Sequence, residues 1–328
     1  MSTTASTRAA TARWREAVRN PIVLASLIAV LLVVVGEVIS PGFGSYEQII
    51  NLLRVASFLG IIAIGQTIVI LSGGDGIDLS VGKVATFAAI VGSRIMDGQN
   101  GNLLPGVLVP LLLCAAIGLV NGLGIVYMRI PPFVMTLGMM GVVQGLIMAY
   151  TGGVAAGRAA PGLTSLVNGR MFLSIPGVLL VWLLLAGLLT WLLRGTRPGW
   201  NLYAVGSNRT AAKLSGIRVN RTVVTAYVAS SVFAGLGGLL LLGYTESVML
   251  SLADQYTLPS VAAVVIGGTL VSGGVGGYLG SAVGAIVLTV LESLLTTVSM
   301  PNASRIIING AVLVLLLAMY GRQRRLRS

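Results

Sequence analysis

The chain has 328 residues, 55% of them hydrophobic and 9% charged, with a formal net charge of +12. Soluble domains carry roughly 25% charged residues, so a water-soluble fold of this length is excluded. Histidine is absent and cysteine occurs once, as Cys114, which excludes an intrachain disulfide, a thiolate or imidazole zinc site and the commonest general base.

Apolar runs predict spans, in chain order, at 22–40, 52–72, 79–96, 104–128, 132–151, 175–193, 222–243, 258–272, 278–298 and 304–320. A bilayer crossing takes about 20 apolar residues and must satisfy its own backbone, so each run reads as a helix. The predicted fold class is all-α, a polytopic membrane protein with about ten transmembrane helices. One transmembrane domain covers 22–320, between an N-terminal tail of 1–21 and a C-terminal tail of 321–328. Arg8, Arg13, Arg15 and Arg19 precede the first run, and no small-x-small cleavage site follows it, so it reads as a retained span rather than a signal peptide.

Most of the 21 Lys and Arg residues fall in the two tails and in the loop 194–221. The positive-inside rule puts these segments, with Lys83 and Arg129, in the cytoplasm, and puts Arg54, Arg94, Arg158, Arg170 and Arg305 on the outer side. This pattern predicts contact with lipid headgroups, not with nucleic acid.

Three loops break the apolar runs. Leu71 to Gly82 carries Gly73, Gly74 and Gly76 with Asp75 and Asp78, at an expected inner boundary. It is a turn between spans or a bend beside a translocation path, and Asp78 is placed to cap the next helix. The outer loop 152–174 is rich in Gly and Pro and reads as coil or a short surface helix. In the inner loop 194–221, Ser207 or Asn208 can cap a short helix that Gly216 ends. Gly276/Gly280/Gly284, Gly118/Gly122 and Gly141/Gly145 recur at four-residue steps, which predicts close helix packing.

A phosphate-binding loop needs Gly-Lys followed by Ser or Thr. The two lysines, Lys83 and Lys213, precede Val84 and Leu214, so any ATP hydrolysis belongs to another subunit. No catalytic residue, metal site or cofactor is expected. Gln66, Asn121, Thr136 and Gln144 are polar residues inside spans, and with Asp78 they are the candidate substrate-pathway residues. Facing a water-filled path and bonding helices together are both open to them. Glu292 is the one acid read as lying well inside a span, with Arg305 as its possible partner.

Four segments carry a resemblance: SGGDGIDLSVG at 72–82, IPPFVMTLGMMGVVQGL at 130–146, GWNLYAVGSNRTAAKLSGIRVNR at 199–221 and VAAVVIGGTLVSGGVGGYLGSAVGAI at 261–286. In this order they resemble the permeases of ribose/galactose/xylose-type ABC importers, over nearly the whole chain. The chain departs from that pattern by the extra Asp75-Gly76 and by Thr257 and Pro259, where the family often has acids.

The resemblance implies a type II ABC importer-like permease in the bacterial cytoplasmic (inner) membrane, with both termini in the cytoplasm. It implies as partners an ATP-binding cassette subunit, an extracytoplasmic solute-binding protein and a second permease copy or paralogue. Residues 206–216 are then the coupling element, with Gly206, Asn208, Arg209, Lys213, Leu214, Ser215 and Gly216 as its contact residues. The implied cargo is a monosaccharide, a pentose, a hexose or a related polyol. Nucleosides or branched-chain amino acids on the same architecture are the alternative, ahead of an ion-coupled secondary transporter and a membrane enzyme.

Overall fold

The computed structural model describes residues 20–170, 175–301, 303–305, 307, 308, 310 and 311. Both tails (apart from residues 20 and 21) and most of the expected span 304–320 lie outside the described residues. The described chain is all-helical: α1 (Pro21–Ile39), α2 (Tyr46–Leu71), α3 (Val81–Met96), α4 (Leu103–Val126), α5 (Pro132–Thr151), α6 (Pro161–Asn168), α7 (Gly177–Gly195), α8 (Arg197–Ser207), α9 (Arg209–Leu214), α10 (Val219–Thr245), α11 (Thr257–Ile266) and α12 (Tyr278–Thr297).

Local signals set many of the boundaries. Ser45 caps α2 through its hydroxyl, Thr196 caps α8, and Asn208 caps α9 by accepting from Ala211 N–H at 3.0 Å. Proline stands in the first turn of α1, α5, α6 and α8, where its missing N–H costs no helical bond. Gly216, at φ +80°, ends the turn after α9 in the left-handed region.

Seven helices are long and apolar enough to cross a bilayer: α1, α2, α4, α5, α7, α10 and α12. The expected count of ten is not reached among the described residues, and the difference lies chiefly in two elements. α3 has 16 residues and α11 has 10, or about 24 Å and about 15 Å at 1.5 Å per residue. Against a hydrocarbon core of about 30 Å, α11 is half a span. The run 258–272 is mostly apolar, but the helix stops at Ile266 because the chain bends through Gly267 and through Gly268 at φ +85°.

Burial sorts the helices. α2 is enclosed along most of its length, and α10, α12, α11 and α7 pack around it, which suits a helix apolar on every side. α1, α4, α5 and α7 turn large apolar side chains outward, among them Val38, Leu112, Val142 and Leu184. In lipid such a surface carries no hydrophobic penalty.

The small-residue stripes divide in the same way. A Cβ on Gly118 or Gly122 would press into the α10 backbone at Tyr227, Val228 and Val224, and Gly280 and Gly284 abut the carbonyls of Gly267 and Ala263. Gly141 and Gly145 face open space in the single chain. Gly276 precedes α12 rather than lying in it.

Candidate functional site

The loop 72–80 turns back into the bundle after α2, and Asp78 lies within it, completely buried. Asp78 Oδ1 accepts from Ser80 N–H at 3.0 Å and from Ser80 Oγ at 2.6 Å, and Oδ2 accepts from Ser230 Oγ of α10 at 2.8 Å. Asp78 therefore closes an Asx turn instead of capping α3, whose N-cap is Ser80 without a side-chain bond. Gln66 of α2 holds the Asp78 backbone: with its amide oriented to satisfy both groups, its nitrogen donates to the carbonyl at 3.2 Å and its oxygen accepts the N–H at 3.3 Å. Asn121 of α4 donates to Ser80 Oγ at 3.2 Å, and Thr136 of α5 donates to the Ile77 carbonyl at 3.2 Å.

Four of the five candidate pathway residues thus meet at one loop, bonded to it from α2, α4 and α5. Each of the four is fully buried. Gln144 stands apart on α5, half-buried, with Oε1 unbonded.

One end of the bundle carries a backbone joint. Three glycine-bearing segments meet there: the end of α2 with its loop, the α8–α9 corner, and the loop between α11 and α12. Gly274 N–H donates to the Leu71 carbonyl at 3.1 Å, closing one contact. A Cβ on Gly206 would overlap Leu71 O and Gly274 N; one on Gly73 would lie 2.8 Å from Gly206 O; one on Gly273 would strike Gly73 Cα. Real Cβ atoms do not approach so closely, so the joint requires glycine on all three strands of chain.

Two side chains brace the joint. Arg209 donates to the Gly73 carbonyl at 3.1 Å, and Tyr203 donates to the Gly276 carbonyl at 2.9 Å. Burial raises the Tyr203 phenol above its ordinary pKa against the opposing pull of Arg194, so the hydroxyl stays protonated and keeps donating. Beyond the joint α9 projects outward. Leu214 is 85% exposed, Lys213 and Ser215 are exposed beside it, and Ala212 is the buried residue that seats the helix.

A second polar centre lies deeper. Lys83 of α3 and Asp254, in the 3₁₀ turn Asp254–Tyr256 before α11, form an ion pair with Nζ–Oδ2 at 2.6 Å. Ala253 N–H donates to Thr86 Oγ1 at 3.0 Å, and Thr257 lies against Gly82. The adjacent Val84 carbonyl faces Cys114 Sγ at 3.8 Å, and Cys114 is at the midpoint of the 24-residue α4. Lys83 is therefore well inside the bundle, not at its inner rim. Glu292 is exposed on α12, and Arg305 donates to Thr296 Oγ1 at 2.6 Å; the described residues show no ion pair between them.

The family described as "branched-chain amino acid transport system / permease component" matches residues 48–317. The chain belongs to this family. It is 34% identical over 301 residues to the ribose import permease protein of Escherichia coli, covering 88% of this chain and 91% of that one. The galactose/methyl galactoside import permease protein of Escherichia coli is 34% identical over 320 residues, covering 89% and 92%. The ribose import permease protein of Bacillus subtilis is 33% identical over 288 residues, covering 87% and 88%. No solved structure matches the chain. Seven apolar helices and membership of a permease family make this a multi-pass membrane protein.

Within this permease, sequence reasoning missed the Lys83–Asp254 pair and Ser230. Ser230 is one small hydroxyl in a long apolar helix and carries no signal of its own. Lys83 and Asp254 are separated by 171 positions, and their pairing follows only from the depth to which each segment reaches.

Proposed function

We propose that this chain is the membrane-spanning permease of an ATP-driven importer that carries a monosaccharide into the cytoplasm. The relatives named for ribose and galactose import, matched over nearly the full length of both chains, support a sugar cargo over branched-chain amino acids or nucleosides. The working unit pairs this chain with a second copy or a related permease. An ATP-binding cassette subunit drives it, and an extracytoplasmic solute-binding protein supplies it. The α9 end faces the cytoplasm of a bacterial inner membrane, with both termini on that side and the single transmembrane domain between them.

The observation that carries this reading is α9. It is a short capped helix presenting one exposed leucine flanked by Lys213, and it is seated on a joint of glycine backbones. A helix that moved independently of the bundle would not need such contacts. Here a push on Leu214 passes through Gly206 to Leu71 and Gly274 as nearly rigid displacement. From there it reaches the Asp78 loop and the α11 half-span. Movement of ATP-linked subunits thereby biases the bundle between conformations open to either side. Gly206, Asn208, Arg209, Lys213, Leu214, Ser215 and Gly216 act here as the coupling element. Gln66, Asp78, Asn121 and Thr136 act on substrate passage by holding the loop that this movement displaces.

Reconstitution with the cognate ATPase and binding protein tests the reading. ATP-dependent uptake of labelled D-ribose or D-galactose is expected from the full assembly and no ATP hydrolysis from the purified chain alone. Leu214→Glu is expected to cut uptake at least tenfold while the chain still inserts and purifies. Hydrolysis by the pure chain, or full uptake by the variant, overturns the assignment.

A further inference from the structure

At the α9 end of the bundle, a cavity of about 270 Å³ lies among the ends of four helices. α1 and α12 begin on it, α7 ends on it, and α8 contributes Tyr203. α1 and α7 both pack against α12, so the cavity sits in the cleft between two helices that turn apolar surface outward.

Its lining has two parts. Ile22, Leu193, Val275 and Leu279 give it walls of hydrocarbon, and Arg194 is the charged group on it, with no carboxylate beside it. The other polar side chains there are already engaged with backbone: Asn20 accepts from Ile22 N–H, Thr190 donates to the Ala186 carbonyl and Tyr203 to the Gly276 carbonyl. Arg194 makes no ion pair among the described residues. It is close enough to act on the Tyr203 phenol, whose hydroxyl lies at Gly276, one residue before the N-cap of α12. That N-cap, Gly277, has no side chain to bond the first N–H groups of α12. The guanidinium and the positive end of a 20-residue helix therefore share one space.

The cavity stands at headgroup depth. Trp191, near the end of α7, and Trp200, in the first turn of α8, are 63% and 68% exposed, and exposed tryptophan marks the boundary between membrane and water. A cationic pocket between spanning helices at this level suits a lipid headgroup. The chain's own tails do not suit it. Residues 1–19 carry four arginines against one acid, and residues 321–328 carry four arginines and no acid, so like charge keeps both away. A zwitterionic headgroup would bring a second cation toward Arg194. An anionic phospholipid sets phosphate against Arg194 and hydrocarbon against the apolar walls.

We infer that this cavity binds one anionic phospholipid from the leaflet at the α9 end, with its phosphate held by Arg194 and the start of α12. The inference rests on the membrane setting and is independent of the cargo.

The test titrates full-length permease, purified in detergent and stripped of lipid, with dioleoylphosphatidylglycerol or dioleoylphosphatidylcholine, and follows the first bound lipid by native mass spectrometry. Wild type is expected to bind phosphatidylglycerol more tightly by about fivefold or more, and Arg194→Gln to lose about fivefold of that preference, the size of one arginine at a charged membrane surface. Arg197→Gln removes the same charge from the same end of the bundle but outside the cavity, and is expected to leave the preference intact. Gly277→Leu occupies the cavity while keeping Arg194. Its extended backbone, at φ 169°, accepts a side chain, and a Cβ there meets Tyr203 Oη at an ordinary 3.6 Å, so the variant is expected to fold and to lose the preference.

Equal losses from Arg194→Gln and Arg197→Gln make the attraction a diffuse surface effect and overturn the site. Equal wild-type affinity for the two lipids, or a preference that survives Gly277→Leu, overturns it as well. Displacement of the lipid by inorganic phosphate at matching concentration makes this a site for soluble anions and overturns the lipid assignment.

Discussion

Asp78 and Asp254 are carboxylates in one bundle, and the fold treats them in opposite ways. Asp78 is sealed among α2, α3, α4 and α10, and hydroxyl or backbone donors occupy both of its oxygens. Asp254 sits at the edge of a half-span, with one oxygen on Lys83 and the other buried without a hydrogen-bond partner. A buried polar group whose bonds are all made holds a structure in one arrangement, whereas a buried oxygen left unbonded costs the structure its lost hydration. The two sites lie close along the chain through α3, whose first residues join the Asp78 loop to Lys83. The fold thus divides its carboxylates into one fully bonded and one half-bonded.

Substitutions sharpen that division. Asp78→Ala removes the acceptor for Ser80 and Ser230 in a sealed space, and is expected to cost roughly 3 kcal/mol or more. A large fall in the thermal unfolding midpoint in detergent, with reduced yield, checks it. Ser230→Ala removes one bond to the same carboxylate and is expected to cost about 1.5 kcal/mol, read as a smaller fall in the same assay. Asp254→Asn keeps an acceptor for Lys83 at a partly exposed position, and its stability cost is expected to stay below about 1 kcal/mol in the same assay. If Asp254→Asn unfolds the protein as readily as Asp78→Ala, the two carboxylates share one structural role and the comparison fails.

The joint at the other end of the loop gives the division its mechanical sense. Gly206, Gly73 and Gly273 let three backbones touch where any side chain would separate them. On the proposed coupling role of α9, a displacement there would reach the Asp78 loop, held by Gln66, Asn121 and Thr136, through backbone contacts rather than flexible side chains. The polar residues flagged one by one inside apolar runs are thus legible as a set only once their common partner is known. Polarity in a span signals that a partner exists but does not say which one. Gln144 illustrates this: it has the same residue chemistry and the same kind of span, yet it does not join the set.

Much of the molecule was nonetheless readable in the chain. Hydropathy alone identified the membrane setting, and its ten predicted runs include the seven long helices, because about twenty apolar residues in a row have one economical fate in lipid. Asn208 and Gly216 marked the ends of α9 because capping and left-handed turns are local chemistry. The depth of α3 and α11 was decided only by tertiary structure. An apolar run shows that a segment belongs in the bilayer, not how far it enters before it bends, and Gly267 and Gly268 ended α11 inside a mostly apolar stretch. Depth in turn decided which charges meet. Lys83 was expected on the cytoplasmic side, and it pairs with Asp254 because two connections reach toward the same plane from opposite ends of the bundle.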